Sequence, residues 1–279
     1  MKHMIEDVVT PAGPYRLRLM CRSGTWDGPL ADGSTATAWQ RPDGRVVVRA
    51  ATEAGVTHAR FMLALDDDTS GFHARFGRDS LLGPTARTLV GYRPLRLATV
   101  THAALRAMCG QLIEARRAMM IERAILRRLG AAVPTREGLS AVSPADLRAD
   151  GLALSRATTL VRLVRSLDLE RLRDHDTAIV LQRLGRERGI GPWSVGVIAL
   201  EGLGRYDHGL VGDLGLIKLV SSLEGRWVEA DETAALLARY EEWQGLAGQM
   251  LMLGWSRGLI PGADPDLGRR TRLRTNRAA

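Results

Sequence analysis

Lysine is almost missing from this chain of 279 residues: it occurs only at Lys2 and Lys218, so nearly all of the 39 basic residues are arginine. Any chemistry that needs a lysine amine is confined to those two positions. Cysteine is as scarce, with Cys21 and Cys109 far apart and in no CxxC arrangement, which leaves no basis for a disulfide framework, a zinc ribbon or a four-cysteine iron–sulfur cluster. No apolar run approaches the roughly 18 residues of a membrane span, and the start Met1 to Val9 lacks the apolar core of a signal peptide. The expectation is a cytoplasmic protein with no membrane partner.

What is present is an ordinary globular composition, 45% hydrophobic and 25% charged, enough to bury a core without staples and unlike a disordered or fibrous chain. The 39 basic against 31 acidic residues give a formal charge of +8. Such an excess suits a polyanionic partner. A genome rich in Arg, Ala and Gly codons explains it equally well, so charge alone assigns nothing.

Along the chain the pattern divides. Up to about residue 75 it is β-rich, with strand-like stretches at Tyr15 to Arg22, Ala36 to Arg41 and Arg45 to Ala50, separated by the turn signals Asp32-Gly33 and Pro42-Asp43-Gly44. Asp66-Asp67-Asp68, before Thr69-Ser70-Gly71-Phe72, reads as an acidic helix entry rather than a metal site. From about Thr99 the periodicity turns helical: Ala103, Leu105, Met108, Cys109, Leu112 and Ile113 share one face, a helix runs on after a break to Leu129, and Gly130 caps it. Ser143-Pro144-Ala145-Asp146 is an N-cap signature, followed by a helix over Ser155 to Leu167. Further helices are expected over 177–187, 193–201, 214–223, 232–243 and 247–255, and the tail after Pro261, with Arg269, Arg270, Arg272, Arg274 and Arg277, reads as basic and flexible.

The most informative segment runs from Leu184 to Val195. A helix stops, Gly189 and Gly191 flank the single apolar Ile190, and Pro192, pre-set for a first helical turn, opens the next helix before Trp193 and Ser194. This is a tight helix-hairpin-helix whose unpaired first-turn amides can hold a phosphate without reading sequence. Some twenty residues later comes Gly212-Asp213-Leu214-Gly215-Leu216, with Asp213 where a helix cap belongs.

Hairpin and aspartate together resemble the HhH-GPD superfamily of base-excision DNA glycosylases, and within it the AlkA-like branch, the 3-methyladenine DNA glycosylase II family. Ala107 to Ile113 is similar to that family's first long helix and its Gly-Gln-Leu turn, Gly189 to Ser194 to its hairpin, and the spacing of Trp243 and Trp255 to its closing helix. The resemblance spans roughly residues 15 to 263. It implies a mainly α fold with an N-terminal α+β lobe, divided as an α+β domain with connector (1–98), a helical domain carrying the hairpin (99–208), a helical part carrying the aspartate (209–263) and the tail (264–279).

By the same resemblance Asp213 is the catalytic carboxylate, and Trp193, Trp255, Val197 and Leu214 line a pocket for an extruded base. Gln111 and Leu112 form the wedge that fills the gap in the DNA, and Gly189, Ile190, Gly191, Trp193 and Ser194 grip a phosphate. Main-chain carbonyls of Glu187 and Ile190 would hold a sodium or potassium ion; no other cofactor is implied. Val197 and Leu214 depart from the aromatic residues many relatives carry there, so the pocket differs in shape. Bifunctional relatives carry lysine where this chain has Trp193, which implies a monofunctional enzyme, acting as a monomer, that removes alkylated purines from double-stranded DNA by hydrolysis.

Read from the residues themselves, the carboxylate suits an oxocarbenium-like centre, and two tryptophans suit cationic bases such as 3-methyladenine and 7-methylguanine through cation–π attraction. His102 and His208 have no Asp or Cys partner at recognisable spacing and read as structural. Arg116, Arg117, Arg123, Arg127 and Arg128 form either a phosphate-facing strip or a solvated helix face. Two other functions fit parts of the pattern: a non-catalytic helix-hairpin-helix DNA-binding protein, which would need neither Asp213 nor the tryptophans, and a glycosylase for deaminated bases such as hypoxanthine.

Overall fold

The computed structural model describes residues 4–111 and 113–263, with Thr177 described by its backbone alone. Leu112, the expected wedge, and the basic tail lie outside the described residues. In chain order the strands are β1 (Ile5–Val9), β2 (Thr25–Pro29), β3 (Thr35–Gln40) and β4 (Val46–Ala50), followed by helices α1 (Glu53–Met62), α2 (Ser70–Phe76), α3 (Gly83–Thr88), α4 (Val100–Gly110), α5 (Ala115–Leu129), α6 (Arg136–Ala141) and α7 (Pro144–Ala149). Then come α8 (Leu154–Ser166), α9 (Thr177–Gly185), α10 (Pro192–Val197), α11 (Leu214–Glu224), α12 (Ala230–Ala238) and α13 (Gln244–Ser256). The expected class, mainly α with a small N-terminal α+β part, is the one observed.

The described residues form two units, one within 4–68 and 91–205, the other within 69–90 and 206–263. In the first, an antiparallel sheet of order β1-β4-β3-β2 carries α1 on one face. The two hairpin turns fall at Asp32-Gly33 and Pro42-Asp43-Gly44, as the sequence indicates. The expected strand over 15–22 does not form: Leu17–Leu19 is a single tight turn, its Leu17 amide held by the Gln40 side chain at 2.9 Å. Strands β1 and β2 were not expected. In β2 the ring of Trp26 lies over Gly28, where a Cβ would come within 2.1 Å of it, which explains a glycine inside a strand.

Helix α4 is the hub of this unit. Nine of its eleven residues are buried, as a helix apolar on all sides should be, and it packs on α5, α8, α10 and the segment after α10. Its start is doubly capped: Thr99 Oγ1 accepts from the His102 amide at 3.0 Å, and the Glu170 carboxylate accepts from Val100 and Thr101 at 3.0 and 2.9 Å.

The second unit gathers α2, α3 and α11 to α13 around an aromatic core. Phe72 meets Phe76 at 5.4 Å and Trp243 at 5.7 Å, Phe76 meets Tyr240 edge-on at 5.2 Å, and Tyr206 stacks on Trp243 at 5.7 Å. Helices α3 and α13 touch closely, because a Cβ on Gly254 would fall 2.0 Å from Thr85 Oγ1. Residues 69–90 group with the later helices because their phenylalanines find their partners near residue 240.

Candidate functional site

The hairpin is built within the first unit. Helix α9 starts under an Asp176 cap and ends at Gly185; a chain of turn bonds, Glu187 N–H to Leu184 O at 3.0 Å and Ile190 N–H to Glu187 O at 2.9 Å, then swings the backbone around. Ile190 is buried as the apolar pin between the glycines. The two glycines serve different needs. Gly189 has φ +89°, and a Cβ there would stand 2.5 Å from Thr159 Oγ1 of α8, so both conformation and space demand glycine. Gly191 has extended φ and nothing within 4 Å of where a Cβ would be, which leaves the approach to the following helix open.

That helix, α10, begins with Pro192 directly after Gly191 and, unlike α9 and α11, has no side-chain cap. Its helical path continues through a π turn over Ile198–Leu203. The wide turn frees carbonyls that are taken up elsewhere: Glu201 O accepts from Leu97 N–H at 2.7 Å and Gly202 O from Arg173 at 3.1 Å. An uncapped, glycine-approached helix start is the geometry that receives an anionic oxygen.

Beside the turn residues themselves, three more of the expected site residues meet at this hairpin. Ser194 is buried, Trp193 is half-buried against the end of α4, and Gln111, just past that end, donates from Nε2 to Gly189 O at 3.1 Å and to Ser194 Oγ at 2.8 Å. Val197 is buried in α10. Gln111 was expected with Leu112 in the wedge; here its side chain is bound to the hairpin.

Asp213 and Leu214 stand in the second unit. Asp213 is the N-cap of α11, its Oδ1 accepting from Gly215 and Leu216 amides at 2.7 and 3.4 Å. The approach to this cap is fixed from behind: the Gly212 amide donates to Thr233 Oγ1 at 2.8 Å, and Thr233 is itself bound to Ala230 O at 2.6 Å. Gly215 has room for no side chain without pressing Met252 of α13. Trp255, three residues further along α13, is half-buried, and its indole N–H is buried without an acceptor among the described residues. Lys218, the one described lysine, lies in α11.

Beneath α4 lies a polar cluster that sequence reading missed. Glu122 of α5 receives His102 Nε2 at 2.9 Å and Arg106 at 3.0 Å, and Arg106 also reaches Glu201 in the π turn at 2.9 Å. Burial opposes ionisation of Glu122, but the hydrogen bonds and charge of His102 and Arg106 outweigh it and hold its carboxyl down at about 2. Burial pushes Glu201 up, against the pull of Arg106, and burial together with Glu122 pushes the Cys109 thiol up to about 12. The only advance signal was a histidine and an arginine four apart on an apolar helix. His208 stands 3.3 Å from Asp207 in an exposed pair. Of the arginine strip, Arg128 is engaged by Asp150 and by Asp146, and Arg127 by its own helix.

Among the described residues no group of His, Cys, Asp and Glu could hold a metal ion, and no helix is long and apolar enough to cross a membrane. No family model matches the chain. The chain is similar to the DNA-3-methyladenine glycosylase of Bacillus subtilis, 23% identical over 222 residues that make up 74% of this chain and 73% of that one. Its structure resembles a 3-methyladenine DNA glycosylase from Archaeoglobus fulgidus, with a TM-score of 0.76, 20% identity and coverage of 90% of this chain and 98% of the other. It also resembles the 8-oxoguanine glycosylase/lyase of Clostridium acetobutylicum in complex with double-stranded DNA, with a TM-score of 0.67, 18% identity and coverage of 92% and 99%. The fold is the one these solved DNA glycosylase structures share.

Proposed function

We propose that the protein is a monofunctional DNA glycosylase of base excision repair that removes alkylated purines, of the 3-methyladenine and 7-methylguanine class, from duplex DNA and leaves an abasic site. The observation that carries this reading is the pairing, on a glycosylase fold, of an uncapped glycine hairpin with a capping aspartate at the start of α11. A module that only bound DNA would need the first and not the second. The first-turn amides of α10, reached across Gly191, take a phosphate oxygen; Leu112 fills the space left by the extruded nucleotide.

In the reaction the bond between sugar C1′ and the purine nitrogen breaks, its electron pair leaves with the base, and positive charge develops on the sugar. Asp213 stabilises that charge and orients the water whose oxygen bonds to C1′ and whose proton is released. A purine alkylated at N3 or N7 already carries positive charge, so it leaves readily. Such a base favours aromatic faces of the kind that Trp193 and Trp255 offer, each within its own unit.

The nucleophile is water because position 193 holds tryptophan and the only described lysine stands within α11. The chemistry requires no cofactor. The main-chain carbonyls of Glu187 and Ile190 would hold a sodium or potassium ion; Glu187 O accepts one turn bond and keeps a second lone pair for it. The ion would stiffen the hairpin and take no part in the reaction. The protein acts as a monomer in the compartment that holds the DNA.

Release of free base from methylated duplex DNA tests the reading. The intact protein should release methylpurines, Asp213→Asn should be slower by at least about 100-fold, and strand breaks should appear only after alkali. Breaks before alkali would show an amine at work. Binding by both proteins with no base released, from methylated or hypoxanthine-containing duplex, would leave a DNA-binding module.

A further inference from the structure

The end of α4 touches the hairpin at three points. A Cβ on Gly110 would lie 2.5 Å from the ring of Trp193, so the last turn of α4 is pressed against it. The next residue, Gln111, leaves the helix with ψ 120° and spends both hydrogens of its amide on Gly189 O and Ser194 Oγ. Gly189 O can only accept, so this partner fixes which end of the amide faces the hairpin. Gly189 and Ser194 lie on opposite sides of Gly191: one closes the turn, the other belongs to the first turn of α10. One side chain therefore bridges the two ends of the hairpin loop, while Thr159 lies against Gly189.

We infer that Gln111 is a positioning residue for the hairpin, holding Gly189 and Ser194 at a fixed separation so that the first-turn amides of α10 are pre-set for a DNA phosphate, and that it does not enter the base stack. The inference rests on the reading of the hairpin as a phosphate grip. It divides the two residues expected to form the wedge: the polar one serves the backbone grip, and only its neighbour Leu112 remains for the gap. Because they are adjacent in the chain, the gap-filling residue is tethered to the phosphate site through a single peptide bond.

Gln111→Met, similar in length but without donors, tests this beside Ser194→Ala and the double variant. Three readouts are needed: affinity for undamaged duplex DNA, KM and kcat for base release, and amide hydrogen exchange over 189–194 without DNA. Gln111→Met should weaken binding to undamaged duplex and raise KM by about tenfold, leave kcat within about twofold, and speed exchange over 189–194. Adding Ser194→Ala should cost less than about twofold more, since both changes break one contact. A fall in kcat with undamaged binding and exchange unchanged would place Gln111 in the stack and overturn the inference, as would additive losses in the double variant. If the intact protein bound no duplex, the phosphate-grip reading would fail; unchanged exchange in Gln111→Met would sink the Gln111 contact itself.

Discussion

The two units solve the problem of a stable interior in opposite ways. The first buries charge. Arg93 is wholly enclosed, giving its guanidinium to the carbonyls of Ala12, Pro14 and Ala64. Phe61 lies between the guanidinium groups of Arg96 and Arg173, at 4.7 and 4.6 Å, and Glu122, His102, Arg106 and Glu201 tie α4 to α5 and to the π turn. The second unit relies on Phe72, Phe76, Tyr240, Tyr206 and Trp243, and its ion pairs, such as Arg75 with Glu241 and Arg226 with Glu232, lie at the surface. Buried charge costs desolvation but fixes direction and register, whereas aromatic packing is strong and less particular about angle. The hairpin, whose use depends on where its amides point, stands in the unit that is fixed by directional bonds.

If this contrast is real, the largest effect should come from truncating a ring. Phe72→Ala should destabilise the second unit by about 4 kcal/mol, with little dependence on pH, and hydrogen exchange resolved by segment should show the loss in α11 to α13. A loss equally visible in α4 and α5 would dissolve the distinction.

Next in size is the charge cluster. Glu122→Leu leaves Arg106 and His102 without their shared carboxylate and should cost about 3 kcal/mol, read as exchange in α4 and α5. The same group makes the contrast depend on acidity. Its folded value of about 2 lies below the ordinary 4.5, so its contribution is complete above about 4.5 and is lost as the pH falls toward 2. Glu201 is shifted the other way, so what burial costs it is felt as the pH rises. On acidification between these limits α4 and α5 should lose protection before α11 and α13, and Glu122→Gln should flatten that profile.

The smallest effect sharpens the comparison within the first unit. Gly189→Ala meets both a left-handed φ and Thr159, and should cost about 1–2 kcal/mol. The cost should come with a larger relative loss of affinity for undamaged duplex than Glu122→Leu produces. Equal stability and affinity in Gly189→Ala would mean that the turn does not need this backbone.

Signals that act over a few residues were legible in the sequence: Gly130 ending α5, Ser143 and Asp146 forming a capping box, Asp213 capping α11, and the hairpin from Leu184 to Val195. Each is settled within a turn of chain, by a capping side chain answering a nearby backbone group or by a glycine taking a left-handed φ. What stayed hidden depends on partners far along the chain. The strand Thr25–Pro29 carries Asp, Gly and Pro and is held by pairing with β3, against its own propensity. The segment 15–22 has strand-like residues but is claimed by Gln40. Gln111 looked like a wedge residue because its partners lie 78 and 83 positions away. The exchange of residues 69–90 between units has no local mark, since Phe72 and Phe76 look like any buried pair until Tyr240 and Trp243 are placed.

That exchange sets a timetable for synthesis. Phe72 leaves the ribosome well before Trp243, and at 5–20 residues per second the interval is roughly 10–35 s. Through that time the rings of Phe72 and Phe76 on α2 wait for Tyr240 and Trp243. They offer a sticky surface just when the nascent chain is most crowded, so this excursion is where a chaperone would have to wait.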